Sequence, residues 1–192
     1  MIRHCSILFA VIIVLVAACE SQEQPVAEES AVDLNTWQKV GDDHWRLTDQ
    51  GADAGPAEAL GFLASNDSYE NLRLSIEYWV EDDTNSGIFI RCSNRDEITA
   101  DTCYEINIWD SHPNQESRTG SIVTFAKPVA HIDGLERWVR IEIEATGNSI
   151  KASFDGQVTA ELDDDSWSSG FVALQYGGKG TLKFRNLSIE SN

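Results

Sequence analysis

An all-β fold, an antiparallel two-sheet jelly-roll sandwich, is predicted by three features of this sequence. Apolar side chains recur at every second position from Asp33 onward, turn residues punctuate these runs at short intervals, and helical periodicity is nearly absent. A dozen or so short strands with no long helix is the pattern of a sandwich or jelly roll.

The strands can be taken in order. Leu72, Leu74, Ile76, Tyr78 and Val80 define one face of a strand, with Arg73, Ser75, Glu77 and Glu81 on the other. Val139, Ile141 and Ile143 alternate with Arg140, Glu142 and Glu144, and Ile150, Ala152 and Phe154 alternate with Lys151 and Ser153. Val172, Leu174 and Tyr176 form a further face, as do Leu182 and Phe184. Gly147-Asn148 separates two of the runs, and Gly177-Gly178-Lys179-Gly180 joins the last two. Asp155-Gly156 is the strongest hairpin signal, because both residue types tolerate the positive φ of a tight turn.

The first 34 residues have a different character. A short positive start with Arg3 and His4 precedes an apolar run from Ile7 to Val16, too short for the ~20 residues that span a bilayer. Charge, a short apolar run and small residues describe a secretory signal peptide over residues 1–18. Val16-Ala17-Ala18-Cys19 resembles the lipobox of bacterial lipoproteins, which implies acylation of Cys19 and a membrane anchor of lipid. Glu20, rather than Asp, follows that cysteine and favours the outer membrane, facing the periplasm or the cell surface. Residues 19–34 are rich in Glu, Gln, Ser and Ala and read as the lipidated cysteine and a flexible tether, leaving 35–192 as the folded domain.

The formal net charge is −18, and removing the leader with its single Arg3 takes it to −19. Such a surface repels phosphate backbones, so nucleic acid is excluded as a partner; a neutral ligand or a cation suits it. Cys92 and Cys103 remain once Cys5 and Cys19 are set aside, flank a single loop, and read as a disulfide in an oxidising compartment. The residues themselves define no metal site. Asp163-Asp164-Asp165 reads as a solvated turn in preference to a calcium site, and His112 and His131 read as loop histidines.

Chemistry concentrates between Asn85 and Gly120. Alternation in Tyr104-Glu105-Ile106-Asn107-Ile108-Trp109-Asp110 buries Tyr104, Ile106 and Ile108 and turns Glu105, Asn107 and Trp109 to the opposite face. The same reasoning buries Ile88 and Ile90 and turns Phe89 and Arg91 outward. Arg91, Glu105, Asn107, Trp109 and Phe89 are therefore expected to line one surface. A carboxylate, a guanidinium, an amide and aromatic rings together suit sugars, with rings against C–H faces and polar groups for hydroxyls. The carboxylate could also transfer a proton.

Several runs here resemble the 3-keto-disaccharide hydrolase family. They are Asn85-Ser86-Gly87-Ile88-Phe89-Ile90-Arg91, Tyr104-Glu105-Ile106-Asn107-Ile108-Trp109-Asp110, Thr119-Gly120-Ser121-Ile122 and Trp138, extending over roughly Trp37 to Glu190. The resemblance implies a concanavalin-A-like jelly roll and action on 3-keto-glycosides, by hydrolysis or by elimination followed by hydration. It also implies a divalent metal, calcium or similar, in some members. Carried over by position, Asn85, Arg91, Glu105 and Asp110 are the site residues, with Glu105 as acid/base and Arg91 beside the developing enolate. Asn107 stands where the family usually has Gln, Val123 where it has an aromatic, and Val139 where an Asn follows the Trp. The segment between Cys92 and Cys103 is inserted between the two motif strands.

Three functions fit these residues: a glycoside hydrolase or lyase of the cell envelope, a non-catalytic carbohydrate-binding lipoprotein, or an adhesive envelope protein.

Overall fold

In a computed structural model, residues 31–191 are described. The expected signal peptide, Cys19 and most of the tether lie outside them. Twelve strands follow in order: β1 (Gln38–Gly41), β2 (Trp45–Thr48), β3 (Gly51–Ala54), β4 (Ala57–Tyr69), β5 (Leu72–Val80) and β6 (Thr84–Cys92); then β7 (Tyr104–Ile108), β8 (Val139–Thr146), β9 (Ser149–Phe154), β10 (Gln157–Asp163), β11 (Gly170–Gly178) and β12 (Leu182–Ser191). They form a five-stranded sheet in the order β1-β4-β11-β6-β7 and a seven-stranded sheet in the order β10-β9-β8-β5-β12-β3-β2. Every paired strand runs antiparallel, as a jelly-roll sandwich requires.

The alternating faces read from the sequence meet between the sheets. Leu72, Leu74, Ile76 and Tyr78 of β5 pack with Val139, Ile141 and Ile143 of β8, and with Ile150, Ala152 and Phe154 of β9. Leu63, Ile88, Ile90, Tyr104, Ile106, Val172, Leu174 and Tyr176 supply the facing side from the other sheet. Asp155 and Gly156 take φ values of 48° and 76° in the two-residue turn between β9 and β10, the geometry expected of Asp-Gly.

Packing begins slightly before the expected boundary at residue 35. The Val32 N–H donates to the Leu187 carbonyl, Ala31 bridges Ser188, and Leu34 is buried in the main core.

A second, smaller core lies on the outer face of the five-stranded sheet. Phe62, Ala64, Phe89, Cys92, Cys103, Phe171 and Ala173 gather there beneath Ile98 of the 93–102 loop. Cys92 and Cys103 are bonded and close that loop at its base, as their spacing predicts. Arg95 pins its outer part by stacking 4.2 Å over the Phe171 ring and donating to the Ser65 carbonyl at 2.6 Å. The insertion thus covers part of this sheet face.

Candidate functional site

The rest of that face carries the candidate site. Strand register lines up Val40, Phe62, Gln175, Gly87 and Asn107 in one row across all five strands. The next row holds Ala64, Ala173, Phe89 and Glu105. Beyond β7, residues 119–123 extend the sheet: Ile122 bridges Ile106, the Asn107 N–H donates to the Ser121 carbonyl, and the Val123 N–H donates to the Glu105 carbonyl.

Glu105 is the central residue. Only 8 % of it is exposed, and no hydrogen bond or ion pair reaches its carboxylate among the described residues. Burial without a compensating charge disfavours the ionised form and pushes its pKa up to about 7. Its side chain fits because the neighbouring strand has no side chain at Gly87. A Cβ there would stand 3.1 Å from Oε1 of Glu105 and 3.3 Å from its Cγ.

Further unpaired polar groups lie on the same face. Asn107 donates to the Ser117 carbonyl, which leaves its Oδ1 buried and without a partner. Gln175 Oε1, Ser121 Oγ and Thr119 Oγ1 are likewise buried and unpartnered. Burying such groups unsatisfied costs free energy, and clusters of them call for a ligand or ordered water. Gln175 escaped the sequence reading because a single glutamine on an alternating strand carries no spacing signal.

The other predicted residues divide. Trp109 and Asn85 lie just past the registered pair Ser86–Ile108, at the end of the same face. Trp109 is partly exposed, sits edge-on to His112 at 4.5 Å and donates through Nε1 to Ser111. Phe89 points outward as expected, yet it is 1 % exposed, because the insertion loop and Phe62 cover it; the ring is core rather than a sugar platform.

The expected shared surface of Arg91 and Glu105 does not form. Between Phe89 and Cys92, β6 carries one more residue than β11 spends between Ala173 and Phe171, and Arg91 sits in this bulge at φ 56°. Its guanidinium, 1 % exposed, donates to the carbonyls of Glu70, Gly147 and Trp167, tying together three loops at one end of the sandwich. Asp110, a site residue by the family resemblance, lies off this face: its Oδ2 accepts the Gly134 N–H, within electrostatic reach of Tyr78 on the opposite sheet. Asp164, in the triple-aspartate turn, accepts from the Tyr104 hydroxyl and the Ser166 N–H.

Two cavities frame this geometry. One of about 450 Å³ opens on the same face, between Val40 and Phe62 and the 95–99 part of the insertion loop. A larger one of about 770 Å³ lies elsewhere, against Ala31–Asn35 and the β2–β3 turn, where the described residues begin. The smaller cavity matters more here, because it shares a strand row with the unpaired amides.

Fold and site together define a jelly-roll sandwich domain with a neutral-leaning, buried carboxyl group on one sheet face. The chain belongs to the 3-keto-alpha-glucoside-1,2-lyase-like domain family, which it matches over residues 27–190. Two candidate glycosyl hydrolases from Parabacteroides distasonis share the fold. The first is 21 % identical with a TM-score of 0.69, covering 80 % of this chain and 93 % of that one. The second is 14 % identical with a TM-score of 0.71, covering 83 % and 90 %. The carbohydrate-binding module CBM66 from Bacillus subtilis is 18 % identical with a TM-score of 0.64, covering 81 % and 96 %. No curated protein matches in sequence.

Proposed function

We propose that this protein cleaves 3-keto-glycosides at the cell envelope, with Glu105 as the proton-transfer group. The observation that carries the proposal is the Glu105 carboxyl itself: buried, unpaired, and shifted to about 7, where it can both take and return a proton near neutral pH. Membership of the 3-keto-alpha-glucoside-1,2-lyase-like family supplies the substrate class.

The chemistry needs little else. A ketone at C3 acidifies the C2–H bond. Ionised Glu105 takes that proton, the electron pair forms the enolate, and the enolate expels the C1 substituent as an alkoxide. The alkoxide is protonated by water or by Glu105–H, and water then adds across the new C1=C2 bond. Buried acceptors at Asn107 and Gln175 hold sugar hydroxyls, and Trp109 with Asn85 borders the ring at the open end. Arg91 takes no part in this scheme, since its donors are spent on three backbone carbonyls. A divalent metal, calcium or similar, is a proposal from the family resemblance alone. The lipid anchor on Cys19 and the envelope location rest on the leader sequence.

A second reading, carbohydrate binding without turnover, is favoured by Asp110, which turns to Gly134 and leaves Glu105 without that partner acid. The deciding experiment incubates the domain with 3-keto-disaccharides and their unoxidised parents, with and without chelator, and follows products by mass spectrometry. Cleavage of the keto substrates alone, lost in Glu105→Gln, is the expected result. Intact substrates that nevertheless raise the melting temperature would select the binding reading.

A further inference from the structure

We infer that Asn107 holds the proton of neutral Glu105: its side-chain carbonyl, aimed by Ser117, accepts from the protonated acid, while Gln175 turns its amide nitrogen to the ionised one. Both are positioning residues for the proton transfer proposed above. The inference rests on that reading for its use in the reaction, but the pairing itself is measurable without substrate.

Three observations carry it. First, one vacant position brings the groups together. Gly87 is registered opposite Asn107 of β7 on one side and Gln175 of β11 on the other. Cross-strand Cβ positions lie ~4.5–5.5 Å apart. Oε1 of Glu105 stands 3.1 Å from the point where a Cβ at position 87 would be. The carboxyl therefore lies over the glycine with an amide on either side.

Second, the two amides differ in freedom. The Asn107 amide nitrogen donates to the Ser117 carbonyl, which fixes the other end of the group, Oδ1, as an acceptor. That oxygen is buried without a partner. No side-chain hydrogen bond fixes the Gln175 amide among the described residues, so it can present its oxygen or its nitrogen.

Third, no charged group competes for the acid. Its other neighbours on the face are Asn85 and Phe89 of β6, Ala173 of β11, and Ser121 and Val123 beyond β7, none of them ionisable. Cys103, two residues back on its own strand, is locked in the disulfide. Arg95, Asp96, Glu97 and Asp101 of the insertion loop do not shift the carboxyl, which burial alone raises. A neutral acid offers one O–H, and Asn107 Oδ1 is a buried acceptor in need of one, so the two unpaired groups satisfy each other.

The reaction would use both amides in turn. The ionised carboxylate accepts from Gln175 and takes the C2 proton as the C–H electron pair passes into the enolate. The new O–H closes onto Asn107 until the proton goes to the leaving alkoxide.

The test follows the Glu105 titration by carboxyl-carbon NMR after near-isosteric apolar replacements. A hydrogen bond to the neutral form raises a carboxyl pKa, and one to the ionised form lowers it. Asn107→Leu should therefore lower the Glu105 midpoint and Gln175→Leu should raise it, each by roughly 0.5–1 pH unit, the worth of one neutral hydrogen bond. The acid limb of the kcat/KM profile on a 3-keto-disaccharide should move with the midpoint. Shifts of the same sign in both variants, or no shift in either, would mean that burial alone sets the midpoint and would overturn the inference. Should a variant fail to fold, the infrared difference between wild type and Glu105→Gln at pH 5 decides. A carbonyl stretch typical of a hydrogen-bonded acid supports the pairing, and that of a free acid overturns it. Opposite shifts in a protein that cleaves no keto sugar would keep the pairing and overturn the proton-transfer reading instead.

Discussion

The Glu105 carboxylate lies over Gly87, its Oε1 3.1 Å from the point where a Cβ at position 87 would stand. The glycine is therefore part of the site, since its missing side chain makes room for the acid. An alanine at 87 would also meet the Ile106 carbonyl at 3.3 Å, so the acid must shift by a few tenths of an ångström. Gly87→Ala should fold, with a destabilisation of about 1–2 kcal/mol from overpacking. It should also displace the Glu105 titration, followed by carboxyl-carbon NMR, and reduce turnover. An unchanged titration curve would show that the glycine does not position the acid.

Glu105 predicts a pH dependence of stability with a definite sign. Folding raises its pKa from the ordinary glutamate value of 4.5 to about 7, so the folded state binds the proton more tightly than the unfolded chain. Stability therefore declines as pH rises from about 4.5 to about 7 and levels off above. At 1.36 kcal/mol per pKa unit, the full loss is roughly 3 kcal/mol. Glu105→Gln removes this dependence. Urea unfolding at pH 5 and pH 8 should favour the variant over the wild type by on the order of 2–3 kcal/mol more at the higher pH. A pH-independent difference would mean that the carboxyl titrates normally.

The sandwich was legible because burial enforces alternation: the faces of β5, β8, β9, β11 and β12 all read correctly from residue spacing. Alternation fails where the ladder slips. The bulge at Arg91 adds one residue to β6 and turns the guanidinium from the predicted face to the end of the sandwich. Spacing also cannot report what a loop covers, which is why Phe89 reads as a surface ring and is instead roofed by the insertion. Glu105 and Asn107 were found together because they are two apart on one regular strand. Gln175 and Phe62 join them only through register, which lies far along the chain.

Arg91 separates structural from chemical roles. Replacing it by leucine removes the donors to three part-buried backbone carbonyls, those of Glu70, Gly147 and Trp167, and a charge-assisted hydrogen bond contributes about 1.5–3 kcal/mol. Arg91→Leu should cost on the order of 3 kcal/mol or more in denaturant unfolding. Below its unfolding transition it should keep the Glu105 titration and the affinity for keto sugars. Loss of affinity in a fully stable variant would return Arg91 to the site.

The Cys92–Cys103 bond makes a prediction that joins stability to binding. Closing a loop of this size contributes ~2–3 kcal/mol in the chain-entropy model, and here the loop also roofs Phe62, Phe89 and Phe171. Reduction, or the paired substitution Cys92→Ser and Cys103→Ser, should lower stability by about that amount. It should also expose the aromatic cluster, detected as binding of a hydrophobic dye at temperatures where β5, β8 and β9 remain protected from hydrogen exchange. The two effects are separable: the main core is built from the facing surfaces of both sheets and owes nothing to the loop, whereas the small core has no other cover. Loss of hydrogen-exchange protection across both sheets on reduction would show instead that the small core and the main core unfold as one unit.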